Sequence, residues 1–317
     1  MSQGVSSDTE WTSKVIVMEE SLKSGSFGIM HKVIHARTKK VAVLKESPKP
    51  KEKKKQSEQT IWKSVSGHPY IVQLFTSFPV EDKIFYIFEY FPKGSIWSFI
   101  KVHKKLHSTV AKILTSQIAL AIHFIHGKNI FHRDISNKNI FLSRDGKAKL
   151  SNFQYSVMEN NTQIWHGHIL YQAPEAFSDC TCDTNADWFS LGICLYEMVV
   201  GMTPVELHCL RHNVDFQKLD DFGKVAVMMA STYYMPKVFS KNLKGALAKF
   251  LNKDVKKRLG YNDDLESIKE HPFFKDVDWK RLECGELTAD LPDDSCLWFE
   301  KDEFTKNVTE KKLKINI

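Results

Sequence analysis

Metal-type cysteine spacing, an apolar stretch in the opening residues and a long uncharged apolar run are all missing from this sequence of 317 residues. Of its six Cys, only Cys180 and Cys182 lie close together, and no second pair or His cluster stands beside them as a zinc site would need. Free thiols are therefore expected rather than a disulfide scaffold. The opening MSQGVSSDTEWTSK has no apolar core of a signal peptide. The most apolar stretch, Trp188 to Met202, carries Glu197 and reads as a buried helix, so no membrane span is expected. These points together predict an intracellular protein, without separating cytoplasm from nucleus. Glycine and proline are sparse and scattered (14 and 10), which excludes fibrous and low-complexity classes.

The length suits one fold, or one fold of two lobes, with material for a sizeable core. The net charge of +7 gathers partly in Lys49, Lys51, Lys53, Lys54 and Lys55. Such a run is usually a solvated loop or helix start, so nucleic acid binding is not expected. Short apolar runs rich in β-branched and aromatic residues mark strands at Val15–Met18, Val41–Leu44, Ile71–Phe75 and Ile84–Phe88, with a helix from Ser57 to Val65 among them. Residues 89–94 have turn character. Beyond them the period turns helical. Ser108 is expected to cap a helix reaching His126 with Gly127 ending it, and further helices are expected over Asp187–Val200 and Leu243–Leu251. After Phe274 an extended or partly disordered tail is expected. The pattern is a small β-rich lobe followed by a larger helical one, an α+β chain.

Two segments are candidates for phosphate contact. Leu22-Lys-Ser-Gly-Ser-Phe-Gly-Ile-Met30 offers Gly25 and Gly28, which let a backbone approach phosphates without Cβ obstruction, although two glycines three apart equally suit an ordinary hairpin turn. Seventeen residues past Gly28, Lys45 ends the apolar Val41-Ala-Val-Leu run, where a lone Lys more often snorkels to solvent. Further on, Ile130-Phe-His-Arg-Asp-Ile-Ser-Asn-Lys-Asn-Ile-Phe-Leu142 places Asp134 and Asn139 at a fixed spacing. Asp134 is ionised near neutrality and suited to orient a hydroxyl.

In this order and spacing the chain resembles eukaryotic protein kinases of the Ser/Thr type. The resemblance covers roughly Val15 to Phe274 and is closest in flavour to the AGC group, through Arg258-Leu-Gly260, His271-Pro-Phe-Phe274 and Asp278-Trp279. It implies a two-lobed fold: a flexible N-terminus (1–14), an N-lobe (about 15–88), a hinge (89–94), a C-lobe (95–274) and an abbreviated tail (275–317). It also implies ATP held by Gly25, Gly28, Lys45 and Glu89, with Glu58 pairing Lys45. Asp134 would be the catalytic base, and Asn139 and Asn152 the metal positions. Arg133, Phe153, Asp187 and the Glu175–Arg258 ion pair would be structural, and Thr162 the candidate phosphosite.

Several positions depart from the family pattern. Lys23 replaces the first loop glycine, Ser136 the catalytic-loop Lys, Asn152 and Gln154 the Asp and Gly around Phe153, and His168 a Thr. An amide brings no charge to Mg²⁺, and losing the Lys removes a positive charge aimed at the transferring phosphoryl. Two readings stay open. The first, which is the expectation, is a pseudokinase acting by binding a protein partner, with or without ATP, with weak or no phosphoryl transfer and with Mg²⁺ or Mn²⁺ binding weak or absent. The alternative is a divergent active kinase that phosphorylates a protein substrate through Asp134. An unrelated metabolic enzyme does not fit motifs in this order. The oligomeric state is not legible.

Overall fold

The computed structural model describes residues 11–12, 15–25, 28–49, 58–158, 167–178, 184–263 and 265–292. Thr162, Lys51, Lys53, Lys54, Lys55, Cys180 and Cys182 lie outside them, as do residues 1–10, 13–14 and 293–317.

The N-terminal lobe is a five-stranded antiparallel sheet made of β1 (Ile16–Gly25), β2 (Gly28–His35), β3 (Val41–Pro48), β4 (Leu74–Val80) and β5 (Lys83–Glu89), in the order β1-β2-β3-β5-β4. Alternation along the strands sends two sets of side chains to opposite faces. Val33, Ala42, Leu44, Phe85 and Ile87 form an outer core, covered by Trp11, whose ring stacks on Phe75 at 5.7 Å. On the other face Met30 is the register partner of Lys45, and Lys45 that of Tyr86. The helix α1 (Glu58–Val65) packs on this inner side through Ile61, Trp62 and Val65. The expected Ile71–Phe75 strand is displaced: Ile71 makes only an isolated bridge to Leu150, and β4 begins at Leu74. Burial, not strand pairing, accounts for that apolar run, since Ile71 and Val72 are both buried.

The larger lobe is helical. It comprises α2 (Ile96–His103), α3 (Ser108–His126), the two-stranded β6 (Ile140–Leu142) and β7 (Ala148–Leu150), α4 (Glu175–Ser178), α5 (Thr184–Val200), α6 (Pro204–His212), α7 (Asp221–Ala230), α8 (Lys241–Phe250), α9 (Leu265–Lys269) and α10 (Trp279–Glu283). Nearly every residue of α5 is buried, which makes it the central helix of the lobe. Among the described residues α3 alone is long and apolar enough by itself to cross a bilayer, yet most of it is buried inside the molecule, as befits a core helix. Its cap differs from expectation. His107, not Ser108, sits in extended conformation and accepts from the Thr109 N–H. A paired Thr203/Glu206 capping box with Pro204 in the first turn starts α6.

The chain past Phe274 is also not the extended tail expected, as far as residue 292. Asp278 caps α10, and the Tyr70 hydroxyl donates to the Leu282 carbonyl at 2.6 Å. Gln117 then donates to Leu287 O, and the Ala289 N–H to Gly146 O.

Candidate active site

Lys45 reaches out of β3 toward α1 and the β7 exit at once. Its Nζ donates to Glu58 Oε1 at 3.0 Å and to Asn152 Oδ1 at 3.4 Å, and it lies 5.5 Å from the centre of the Tyr86 ring. The Lys45–Glu58 pair is almost wholly buried. A buried charge pair of this kind persists only with good geometry, because each partner left alone carries a large desolvation cost. Phe153 is fully buried beneath α1, edge-on to His132 at 5.1 Å and 6.1 Å from Trp62. Trp62 is itself fixed by donation from Nε1 to Val72 O.

The loop carrying Asp134 is held from below by Asp187 of α5. One Asp187 oxygen accepts from the Arg133 N–H, the other from the His132 N–H and His126 Nε2, each at 2.9 Å. Burial alone would raise the Asp187 carboxyl, but the His126 and His132 contacts hold it below its ordinary value. Arg133 pays for this tight turn with φ +67°, unusual for a non-glycine residue.

Asp134 accepts from Asn139 Nδ2 at 2.7 Å, Asn152 Nδ2 at 3.2 Å and the His168 N–H at 2.9 Å. Burial pushes its pKa up to about 6, and these hydrogen bonds with the charge of Lys138 restrain the rise. Gly167 is left-handed at φ +94°, and a Cβ there would stand 2.6 Å from Asp134 Oδ1. Lys138 Nζ lies 2.8 Å from His168 Nε2. Burial and the neighbouring Lys138 charge lower the His168 pKa to about 4, so its Nε2 is the acceptor. A cavity of about 420 Å³ opens beside Asp134, lined by Ser136, Gln154, Tyr155, His168 and Lys224 among others. Ser136 Oγ and His168 Nδ1 are buried there without a hydrogen-bond partner among the described residues.

The other expected site residues are placed as follows. Gly25 and Gly28 face each other across the β1–β2 connection. Glu89 has its carboxylate taken by Lys149, both oxygens at 2.8 Å from Nζ. Glu175 and Arg258 form a two-pronged buried ion pair far from Lys45 in sequence, with Arg258 Nη2 2.9 Å from Glu175 Oε2. Sequence reasoning gave neither Lys138 nor Gly167 a role. A cation next to the catalytic loop was the available signal for Lys138.

The cation positions the family pattern implies are Asn139 and Asn152. Asn139 Oδ1 accepts from Asn152 Nδ2 at 3.3 Å, and Asn152 Oδ1 accepts from Lys45. Mg²⁺ and Mn²⁺ favour carboxylate and phosphate oxygens. Here the one carboxylate in the group is Asp134, and both amide oxygens are occupied by N–H donors. With one carboxylate in the group, this set holds a dication less strongly than a pair of carboxylates would.

Comparison with known proteins agrees with this architecture. The protein kinase domain model matches residues 16–274. Atypical protein kinase C of Drosophila melanogaster is 30% identical over 239 residues, covering 74% of this chain and 39% of that protein. Serine/threonine-protein kinase sgk-1 of Caenorhabditis elegans is 29% identical over 279 residues, covering 85% and 58%. Protein kinase 3 of Dictyostelium discoideum is 31% identical over 282 residues, covering 83% and 30%. The chain belongs to the protein kinase family, and it spans between 30% and 58% of the length of these curated relatives.

The expectation of a pseudokinase is overturned by the site itself. The buried Lys45–Glu58 and His126–Asp187 pairs are both formed, and they resemble the ion pairs of an intact rather than a degraded kinase site. The departures that suggested decay also look different in place. Gln154 lies in a short 3₁₀ turn with no positive φ, so glycine's freedom is not needed there. The Ser136/His168 change has not dissolved the network around Asp134, because Lys138 and the His168 backbone have entered it.

Proposed function

We propose that the chain is an ATP-dependent protein serine/threonine kinase. The observation that carries this reading is the joint placement of Lys45, paired with Glu58, and Asp134, fixed by three hydrogen-bond donors. ATP would enter between the lobes, its base against the apolar inner face where Met30 and Val43 share a side with Lys45. Gly25 and Gly28 would border the phosphates, which Lys45 would orient. Glu89 would contribute through its backbone, its carboxylate being engaged by Lys149.

The acceptor hydroxyl of a protein Ser or Thr would enter the cavity beside Asp134. Its oxygen forms the new bond to the γ-phosphorus as the bond from that phosphorus to the ADP oxygen breaks. Asp134 accepts the hydroxyl proton and returns it to solvent. Lys45 and Lys138 are the fixed positive groups near the two ends of this path. No step is routed through a metal, and weak use of Mg²⁺ or Mn²⁺ belongs to the same reading.

Arg258-Leu-Gly260 with His271-Pro-Phe-Phe274 supports an AGC-like grouping. It goes with a domain over 15–274 divided at a hinge of 89–94 and followed by an abbreviated tail. Signalling inside the cell, with a protein substrate as partner, follows from the same activity.

The test is phosphate transfer from labelled ATP to a generic basic substrate by the full chain. Transfer is expected, falling by about 10²–10⁴ in Asp134→Asn while the protein stays folded. Absence of transfer by the unaltered chain, or equal transfer by the variant, sinks the reading.

A further inference from the structure

We infer that this chain binds ATP without a divalent cation, the Asn152 amide joining by hydrogen bonds the groups that a dication would join by charge. The inference rests on the nucleotide site proposed above. Asn152 is buried and lies between three partners from two parts of the chain, β3 and the catalytic loop. Its Nδ2 is 3.2 Å from Asp134 Oδ2 and 3.3 Å from Asn139 Oδ1, and its Oδ1 is 3.4 Å from Lys45 Nζ. Lys45 is 107 positions away in sequence, so one planar amide links the β3 lysine to the catalytic loop.

The chemistry depends on the residue being an amide. A carboxylate in the same place would set a second negative charge about 3 Å from Asp134 and would have no proton to donate to it or to Asn139. Like charges that close disfavour joint ionisation unless a cation sits between them. With Asn the N–H groups do that bridging, and both oxygens in the pair are already satisfied. The backbone agrees: Asn152 is left-handed at φ 65° and ψ 72°, a conformation in which Asn is among the better tolerated non-glycine residues. The site is thus ordered before any ion arrives. The triphosphate's charge would be met by Lys45, so the nucleotide binds with or without its metal.

The experiment is calorimetric titration of the full chain with ATP in EDTA and again in excess Mg²⁺, with thermal shift on the same samples. Affinities within about threefold of each other, a difference under 1 kcal/mol, and stabilisation by ATP in EDTA are expected. In Asn152→Asp, affinity in EDTA is expected to fall by about tenfold or more and to recover with Mg²⁺. Unaltered protein that binds and is stabilised only with Mg²⁺, or that binds in neither condition, overturns the inference. Those wild-type arms decide it even if the variant fails to fold. Phosphate transfer, read separately, addresses the catalytic reading. Chelator-resistant binding without transfer would remove the kinase proposal and leave this one standing.

Discussion

At the scale of single residues, the site depends on close approaches that side-chain chemistry alone does not reveal. Gly167 is the sharpest case, because its backbone passes so near Asp134 that a methyl group has no room. Gly167→Ala should displace the Asp134 carboxylate and lower transfer by about tenfold or more, as angstrom-scale misplacement does. Thermal stability should drop by only about 1–3 kcal/mol from the strained φ. Unchanged kinetics would show that Asp134 is not positioned by this contact. The residues that name the family were legible because their spacing is local: His132, Arg133, Asp134 and Asn139 lie within eight positions of one another. What Asn152 does was not legible. Its substitution was visible, but its partners Lys45 and Asp134 become neighbours only when the sheet closes over the loop. The same holds for Lys138 and His168, which meet across 30 positions.

At the scale of elements, the long helices and the apolar strands β3 and β5 were readable, and the shortest elements of the large lobe were not. α3 and α5 announce themselves through sustained apolar recurrence, whereas α10 has five residues and β6 and β7 have three each, too few to set a period. The connection leaving α1 gives a pH prediction. His68 stacks on Phe124 of α3 at 4.6 Å and accepts from the Tyr70 N–H through Nδ1. Burial lowers its pKa from 6.5 to about 4, so the folded chain prefers the neutral ring. Its contribution to stability is full above pH 6.5 and is lost progressively as the pH falls from there toward 4, because the unfolded chain takes the proton first. Urea midpoints measured between pH 7 and pH 4.5 should therefore decline, and the decline should be shallower in His68→Asn. Equal slopes would assign the effect elsewhere.

At the scale of the whole molecule, the two lobes and the segment after them are fastened at a few defined places. Glu175 and Arg258 bind the end of the Asp134-side loop to the base of the large lobe, and the Tyr70 hydroxyl ties the α1–β4 connection to α10. Gly146 is the tightest of these fastenings, since a Cβ there would fall 2.1 Å from the Ala289 carbonyl oxygen. Gly146→Ala should release residues 285–292 from the large lobe. Faster amide exchange is expected in that segment, with β6 and β7 themselves unchanged. If the segment stays protected, Gln117 and Tyr70 suffice to hold it.

Those fastenings have a practical consequence for anyone cutting this chain. The family match stops at residue 274, yet Leu282 is fully buried and Ala289 nearly so. A fragment ended at the family's edge would uncover apolar surface on both sides of the cut and leave the Tyr70 hydroxyl without its acceptor. The packed unit is longer than the stretch the family model matches.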